Sequence, residues 1–349
     1  MTGQIKQGAL VGCGFFARNH MHGWRAVPGA EIVAVCDLDQ SKAETFSHDF
    51  DGPRVFTDVG QMLSEMDLDF VDVATTPPSH RPLVELVVGS GVAVICQKPI
   101  ADTYADAKAM VKAAEDASVP FFIHENFRWQ KGIMAAKAAI DQGQIGALRF
   151  GRFSFRHGYD NYVNQPYLAE IERFSLMDVG IHLYDVMRHV MGEVRHLSCE
   201  TQRRNPIVAG EDAFTSLLRH ADGGVSVVDC SFHSTIRPEP FPETLLCIEG
   251  DTGTVELTTD FKLTLHTSDG AESRDVEAGV PHWGERPWHT VQDSVINFQA
   301  HVVDVLNGKT YPQPSGADNL KTLALALASY DAMESASVID MAAWEARQA

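Results

Sequence analysis

Short apolar runs alternate with longer amphipathic stretches through the first 125 residues of the chain. The apolar runs have the length of strands and cover residues 5–11, 32–36, 70–74, 92–96 and 121–123. Helix-length stretches, such as residues 81–88 and 105–117, separate the later runs. Strands that are apolar on both faces and alternate with helices predict a parallel sheet that is covered on both sides. We therefore expect an α/β domain over residues 1–124.

The second part of the chain follows a different pattern, with a helix predicted over residues 124–142 and then strands that alternate apolar and polar positions. The predicted strands are residues 148–157, 194–202, 213–220, 225–233, 245–249, 255–258 and 262–267. Glycine turns such as Asp222-Gly223-Gly224 join several of them, which is typical of antiparallel strands with one exposed or interface face. We expect residues 125–349 to form an α+β domain with a large, mainly antiparallel open sheet. Its C-terminal helix is expected to pack back on the first domain, and 349 residues suit two domains.

Residues 175–192 predict one helix that is apolar nearly all round but carries a polar stripe. The stripe has residues at i, i+4, i+7 and i+11: Asp178, His182, Asp185 and His189. Unpaired buried polar groups cost about 1–3 kcal/mol each, so the stripe must face internal partners or a cavity. Gly180 leaves room for a flat group to approach closely. A structural interpretation is also open, because Ser175-x-x-Asp178 fits a capping-box-like start and many buried histidines are simply hydrogen-bonded.

Composition and charge restrict the classes of partner. The hydrophobic fraction of 44% is sufficient for packed cores, and no apolar run is long enough to cross a bilayer. The N-terminus lacks the basic and apolar regions of a signal peptide, so we expect a cytoplasmic protein. The net charge of −19 argues against nucleic acid or a membrane as a partner. Six cysteines without CxxC spacing indicate free thiols rather than a disulfide or zinc framework.

The strongest chemical signal in the first domain is the turn Gly12-x-Gly14-x-x-Ala17, which follows the first strand and opens a helix. Gly12 permits the tight turn, Gly14 lets the backbone approach a pyrophosphate, and Ala17 allows close packing of the helix on the sheet. Asp37 ends the second strand and can accept hydrogen bonds from ribose hydroxyls. Leu38 and Asp39 follow instead of an arginine, which favours NAD over NADP. The sequence therefore predicts an NAD-binding Rossmann domain.

Two further loops follow predicted strands at the carboxyl edge of the sheet, where ligands bind. The first, residues 75–80, is a stiff loop suited to line the dinucleotide, although an ordinary proline-rich turn is the alternative. In the second, Lys98 closes an apolar strand and precedes a proline, which directs its ammonium group into the cleft. The predicted cofactor-binding residues are Gly12, Gly14, Phe15, Phe16, Ala17, Asp37, Thr75, Pro77, His80, Gln97, Lys98 and Asn126.

Together these motifs resemble the Gfo/Idh/MocA family of oxidoreductases over essentially the whole chain. The resemblance rests on the glycine turn, Lys98-Pro99, Asp178-x-Gly180-x-His182, and the segment 316–335 with its Gly-x-Asp-x-Leu start. It implies oxidation or reduction of a sugar or polyol with a bound nicotinamide dinucleotide, and an outer sheet face that forms a homodimer or homotetramer. It also implies that Lys98, Asp178 and His182 are the catalytic residues.

The chain departs from the family pattern at one motif position. Gln97 stands where the family usually has glutamate, so it can bind a ribose hydroxyl but cannot supply charge to Lys98. The variant Cys96-Gln97-Lys98-Pro99 and residues 167–174 are similar to one subgroup of sugar dehydrogenases within the family.

The long polar connection over residues 158–174 precedes the predicted catalytic helix, and we expect it to recognise the substrate. A second unusual loop, residues 282–289, is rich in aromatic and polar residues and is expected to close over the substrate. The predicted substrate-binding residues are Lys98, Arg128, Asn161, Gln165, Arg173, Asp178, His182 and His289. No third well-spaced ligand accompanies these histidines, so no metal is predicted.

The resulting hypothesis is an NAD-dependent dehydrogenase that acts on a hydroxyl group of a sugar or polyol. His182 takes the hydroxyl proton, Lys98 stabilises the alkoxide, and Asp178 orients the substrate or the imidazole. Two alternatives remain open: a glycosidase or epimerase that recycles its NAD, and a non-catalytic NAD-binding sensor.

Overall fold

The computed structural model describes residues 5–348, which divide into two compact units. The first unit contains residues 1–126 and 294–321, and the second contains residues 127–293 and 322–349. The predicted boundary after residue 124 lies two residues from the first division. The structure differs in assigning residues 294–321 to the first unit, where the sequence predicted an uninterrupted second domain. The C-terminal helix, residues 341–347, belongs to the second unit, and its expected packing on the first domain stays a prediction.

The first unit is built on a six-stranded parallel sheet with the order β3-β2-β1-β4-β5-β6. Its strands are β1 (Lys6–Val11), β2 (Ala30–Cys36), β3 (Arg54–Phe56), β4 (Phe70–Val73), β5 (Ala93–Gln97) and β6 (Phe121–His124). Its helices are α1 (Ala17–Ala26), α2 (Gln40–Asp49), α3 (Val59–Glu65), α4 (Pro77–Gly89) and α5 (Tyr104–Ala117). The predicted parallel sheet is thus confirmed, with β3, α2 and α3 in addition to the predicted elements.

Side-chain caps start several of these helices where the sequence offers a short acceptor. Asp39 accepts hydrogen bonds from the backbone of Ser41 and Lys42 at the start of α2, and Asp58 does the same for Gln61 in α3. Thr103 caps α5 through the amide of Asp106. Such caps satisfy amide groups that have no partner within the helix.

The second unit contains a nine-stranded, mainly antiparallel sheet with the order β14-β13-β12-β11-β7-β10-β9-β8-β15. Its strands are β7 (Leu148–Arg156), β8 (Val194–Gln202), β9 (Ala213–His220), β10 (Val225–Ser231), β11 (Leu245–Gly250), β12 (Gly253–Thr258), β13 (Lys262–Thr267), β14 (Gly270–Asp275) and β15 (Ile339–Asp340). One pair departs from the predicted antiparallel pattern, because β7 and β10 run parallel at the centre.

The remaining helices are α6 (Lys131–Asp141), α7 (Ile181–Met191), α8 (His289–Leu306), α9 (Gly316–Ser335) and α10 (Met341–Arg347). Helix α7 packs on the sheet of the second unit, and nearly all its side chains are buried. Phe153 and Phe155 of β7 fill the core on the same face. Among residues 5–348, no helix combines the length and apolar character that a membrane span requires.

Candidate active site

The carboxyl ends of the parallel strands bring five predicted site residues into one row in the first unit. Each residue follows its strand by one or two positions, and the strand order β2-β1-β4-β5-β6 fixes the order of the row. From one side to the other, the row is Asp37, Gly12, Thr75, Lys98 and Asn126. Neighbouring parallel strands lie about 4.8 Å apart, so the row extends over several strand spacings. This is the edge at which open α/β sheets bind ligands.

The two glycines of the turn differ in their structural reason. Gly12 has a φ of +95°, and a Cβ at this position would lie 2.8 Å from the carbonyl oxygen of Ala74. The fold itself therefore requires Gly12. At Gly14, no described protein atom lies within 4 Å of the Cβ position. The fold therefore does not require a glycine at position 14. A ligand group that approaches the backbone closely would require one.

The carboxylate of Asp37 is held beside the glycine turn. Its Oδ2 accepts a hydrogen bond from the backbone amide of Cys13 at 2.8 Å, and its Oδ1 accepts one from the amide of Asp39 at 2.9 Å. Each carboxylate oxygen has two lone-pair positions, so both oxygens retain the capacity to accept a ribose hydroxyl. The donor set, the glycines and the start of α1 therefore fit a dinucleotide.

The loop after β4 is organised by His80, which is completely buried in α4. Its Nε2 lies 3.1 Å from the carbonyl oxygen of Thr75, and its Nδ1 lies 3.1 Å from that of Pro99. Burial lowers the pKa of His80. His80 thus connects the two strand-end loops, and its contact with the cofactor stays a prediction. Pro77 occupies the first turn of α4, where its missing amide hydrogen has no cost.

Lys98 is half-buried immediately after β5, and its backbone amide donates a hydrogen bond to Oε1 of Gln97 at 2.7 Å. Gln97 is itself buried. At the end of the row, Asn126 is also buried and donates through Nδ2 to the hydroxyl of Ser294 at 2.7 Å. In the first unit these residues are therefore fixed by their neighbours before any ligand is considered.

The catalytic candidates of the second unit lie on a helix that is not α-helical throughout. Residues Leu176–Gly180 form a π-helical turn, and α7 follows directly from Ile181. Asp178 lies in the π-turn and is half-buried, whereas His182 lies in the first turn of α7 and is buried. The ring of His182 stacks on Phe127 with a centroid distance of 4.0 Å and an interplanar angle of 4°. Single π-turns within helices are frequent at functional sites.

Glu211, which the sequence did not single out, holds the start of this π-turn. Its carboxylate accepts hydrogen bonds from the backbone amides of Phe174 and Leu176, and from the hydroxyl of Tyr330. The side chain of Ser175 makes no capping hydrogen bond, so the capping-box interpretation of this segment is wrong. The acceptor comes from 36 residues further along the chain instead, and no local pattern signals it.

The flat group beside Gly180 is a side chain of the protein. A Cβ at position 180 would lie 2.9 Å from the ring of Phe214 in β9. Because a completely packed ring occupies this position, Gly180 serves the packing of α7 on the sheet. The sequence correctly predicts a close approach by a flat group.

Two predicted substrate residues are committed to structural contacts. Arg128 is buried and forms a bidentate ion pair with Asp185, with 2.7 Å between Nε and Oδ2. His289 is buried, and its Nε2 lies 3.1 Å from Oε1 of Glu277. Both side chains support the fold of the second unit, and their direct contact with substrate stays a prediction.

The remaining substrate candidates lie on or near the predicted recognition segment. Asn161 is buried, Gln165 is half-buried, and Arg173 is exposed with its guanidinium 5.0 Å from the ring centre of Tyr330. The same segment lines an open cleft of about 450 Å³ in the second unit. The side chains in this cleft include Tyr159, Asp160, Tyr162, Asn205 and His233. Tyr159 and Tyr162 give this cleft two aromatic rings.

Two family models match the chain. The model described as an oxidoreductase family with an NAD-binding Rossmann fold covers residues 6–125. The model described as the GFO/IDH/MocA C-terminal domain covers residues 133–256. The chain belongs to the Gfo/Idh/MocA family of oxidoreductases. Its resemblance to this family, its fold class and its NAD cofactor are thereby confirmed.

Two curated relatives in this family are similar over nearly the full length. The chain is 47% identical to a D-apiose dehydrogenase from Paraburkholderia graminis, over 97% of this chain and 91% of the relative. It is 44% identical to a D-apiose dehydrogenase from Rhizobium rhizogenes, over 97% of this chain and 98% of the relative. The sugar dehydrogenase subgroup indicated by residues 96–99 and 167–174 is the one that includes these proteins.

A similar solved structure is an oxidoreductase from Agrobacterium radiobacter in complex with NAD⁺, L-tartaric acid and magnesium. Its TM-score is 0.95 at 44% identity, with 97% of this chain and 99% of that chain covered. Within the described part of this Gfo/Idh/MocA chain, no cluster of three or more His, Cys, Asp or Glu side chains is arranged to hold a metal ion.

The contrast between the two glycines gives a testable prediction. Gly14→Ala adds a Cβ that meets no protein atom, so we expect a melting temperature within about 2 °C of wild type and NAD⁺ binding weakened at least about tenfold. Gly12→Ala meets the backbone of Ala74 at a strained φ and should lower both stability and affinity. Thermal unfolding and fluorescence titration of NADH measure the two effects. Unchanged NADH affinity in Gly14→Ala would contradict the assignment of this turn.

Proposed function

We propose that this oxidoreductase is an NAD-dependent sugar dehydrogenase whose substrate is D-apiose or a closely related sugar. The observation that carries the proposal is the 47% and 44% identity to two D-apiose dehydrogenases over 97% of this chain. The retained Lys98, Asp178 and His182 support catalysis rather than a sensing role.

His182 is proposed as the general base that removes the proton from the reacting hydroxyl. Its stacking on Phe127 and its burial hold the imidazole plane in one orientation, which proton transfer requires. Asp178, in the preceding π-turn, is proposed to orient the hydroxyl or the imidazole. Fixed geometry of this kind lowers the entropic part of the barrier.

Lys98 is proposed to stabilise the alkoxide that develops as the proton leaves. Its position after β5 places a cation at the ligand-binding edge, where partial burial strengthens its interaction with a negative oxygen. NAD, when bound, would accept the hydride from the carbon that carries the reacting hydroxyl. Asp37 is proposed to bind the adenosine ribose and to disfavour a 2'-phosphate by charge repulsion.

We also propose that the protein works in a reducing compartment such as the cytoplasm. All six cysteines are free, and four of them are buried. Burial raises the pKa of Cys13 to about 12 and that of Cys36 to about 11, so these thiols are poor nucleophiles. Recovery of the protein from the culture medium of its native host would contradict this placement.

The decisive experiment is NADH production by the purified protein on a panel of sugars, cyclitols and sugar acids. We expect the highest kcat/KM on D-apiose, with lower values on myo-inositol and common aldoses. Conversion of a glycoside or epimerisation without net NADH would favour the alternative that recycles its NAD. Inactivity on the whole panel, with NADH still bound, would favour the sensor.

Replacing the proposed catalytic residues should separate chemistry from cofactor binding. His182→Asn and Lys98→Met are each expected to lower kcat by about 10²-fold or more, because each removes a proton acceptor or a charge from the transition state. The dissociation constant of NADH should change little. Matched controls are His48→Asn and Lys108→Met, both on exposed positions. Near wild-type kcat in both active-site variants would refute the assignment.

The outward face of the second sheet is proposed to form a homodimer or homotetramer. Paired positions place Leu217, Val227, Arg152 and Cys247 in one row across four strands of this face. Leu217 is 54% exposed, which is unusual for a leucine at the centre of a sheet.

Leu217→Lys is therefore expected to reduce the sedimentation mass toward that of the 38.3 kDa chain at micromolar concentration. A lysine at this position would bring an unpaired charge into the interface. Leu86→Lys, on an exposed position of α4, is the matched control and should leave the mass unchanged. A wild-type protein that sediments as a monomer would contradict the proposed assembly.

A further inference from the structure

Three buried side chains in the first unit, Asp72, His20 and Gln97, form a hydrogen-bonded relay that ends on the backbone amide of Lys98. Asp72 lies in β4 and is completely buried, and its Oδ2 accepts hydrogen bonds from Nε1 of Trp24 at 2.8 Å and from Nδ1 of His20 at 2.9 Å. Nε2 of His20 lies 3.1 Å from Nε2 of Gln97. Gln97 in turn accepts from the amide of Lys98 through Oε1 at 2.7 Å.

The hydrogen atoms of this relay can be placed from the donor and acceptor types alone. An ionised carboxylate only accepts, so His20 carries its hydrogen on Nδ1, which faces Asp72. In a neutral imidazole the other nitrogen, Nε2, is then an acceptor, and it faces the amide NH₂ of Gln97. The carbonyl oxygen of Gln97 is thereby left for the amide of Lys98. Each hydrogen bond fixes the direction of the next.

The same imidazole also contacts the dinucleotide-binding turn. Phe16, which immediately precedes α1, packs its edge against the ring of His20 with centroids 5.5 Å apart. The ring of His124 from β6 stacks on the face of this imidazole with centroids 4.0 Å apart. Gln299 of α8 donates to the backbone oxygen of His20 at 2.9 Å. His20 is therefore fixed by α1, β4, β5, β6 and α8 together.

We propose that His20, held by Asp72, is a positioning residue for Lys98 that acts through the amide of Gln97. The inference rests on the proposed role of Lys98 in catalysis. A glutamine at position 97 lets His20 act as a neutral imidazole. A glutamate there would face Nε2 with a second carboxylate, and the hydrogen bond would then exist only while His20 carries a hydrogen on both nitrogens.

Two substitutions separate this role from a general loss of packing. His20→Asn keeps a donor near the position of Nδ1 for Asp72 but removes the acceptor that faces Gln97. We expect kcat to fall about tenfold, the scale of one lost orienting hydrogen bond, while the NADH dissociation constant stays within about twofold. His48→Asn is the exposed control and should show neither change.

Gln97→Glu changes the amide to a carboxylate of the same shape and introduces a pH dependence. When the ring of His20 holds hydrogens on both nitrogens, both carboxylates are satisfied, so the ratio of variant to wild-type kcat should be highest at the lowest pH measured. As the pH rises, Nε2 loses its hydrogen and its lone pair faces a carboxylate, so the ratio of variant to wild-type kcat should fall. Among the described contacts of His20, the ionisable groups are Asp72 and His124, Cys96 lies near Asp72, and all three are the same in both proteins.

A spectroscopic measurement tests the relay independently of turnover. The ¹⁵N shifts of the His20 ring can be assigned among the 15 histidines by comparison with His20→Asn. In the wild-type protein they should show that Nδ1 carries a hydrogen and Nε2 does not. In Gln97→Glu, measured at the same low pH as the wild-type protein, both ring nitrogens of His20 should carry a hydrogen.

The outcomes distinguish the inference from the proposed function. An active Lys98→Met variant would overturn the proposed role of Lys98, while the ring shifts would still test the relay. An inactive Lys98→Met variant combined with wild-type kcat in His20→Asn would overturn the positioning role alone. A wild-type His20 with hydrogen on Nε2 would overturn the relay, whatever the kcat of His20→Asn.

Discussion

Parallel hydrogen bonding is the constraint on which the cofactor half of this protein depends. Because β1, β2, β4, β5 and β6 all run in one direction, the residue that follows each strand reaches the same edge. The pairing registers decide which residue that is, and a slip of one position would turn Gln97 to the opposite face of the sheet. The order from Asp37 to Asn126 is therefore a property of the sheet rather than of any loop.

The second unit solves a different physical problem, which is a helix buried on nearly every side with a stripe of polar groups. Asp185 is neutralised by the bidentate contact with Arg128, and a buried carboxylate without such a partner would be strongly destabilising. Tyr184, on the neighbouring face, is satisfied by the hydroxyls of Ser216 and Ser329. The deep end of the helix is satisfied in this way, and Asp178 and His182, for which a catalytic role is proposed, lie at its beginning. The π-turn separates them from the regular α-helical spacing.

Local patterns were sufficient for most of the architecture. The buried strands and the glycine turn were predictable because their signals lie within a few residues. The strand β3 has only three residues, and β14 is exposed along its whole length, so neither carries a hydrophobic pattern to detect. The return of residues 294–321 to the first unit depends on packing between distant segments.

The candidate site residues also differ in whether their signal is local or depends on distant contacts. Lys98, Asp178 and His182, for which a catalytic role is proposed, were identified from motifs, and so were the glycines of the turn. The structural roles of Arg128, His80 and His289 were not, because their partners Asp185, Pro99 and Glu277 lie 12 to 57 residues away in sequence. A polar residue in an apolar context shows that a partner is required, but the sequence does not say whether the partner is substrate or protein. The role of Glu211 was not predictable, because nothing in the neighbouring sequence distinguishes it from a surface glutamate.

Gln97 shows how a departure from a family motif can be compensated by its surroundings. The site already contains one buried carboxylate, Asp72, whose contacts with Trp24 and His20 use both available side-chain donors. A second carboxylate at position 97 would have to be desolvated as well, and the ring nitrogen that faces it, Nε2 of His20, would have to gain a proton. An amide avoids this second buried charge because it supplies its own donor to His20 and keeps its oxygen for Lys98. The backbone contact to Lys98 is thus preserved without a further charge in the interior.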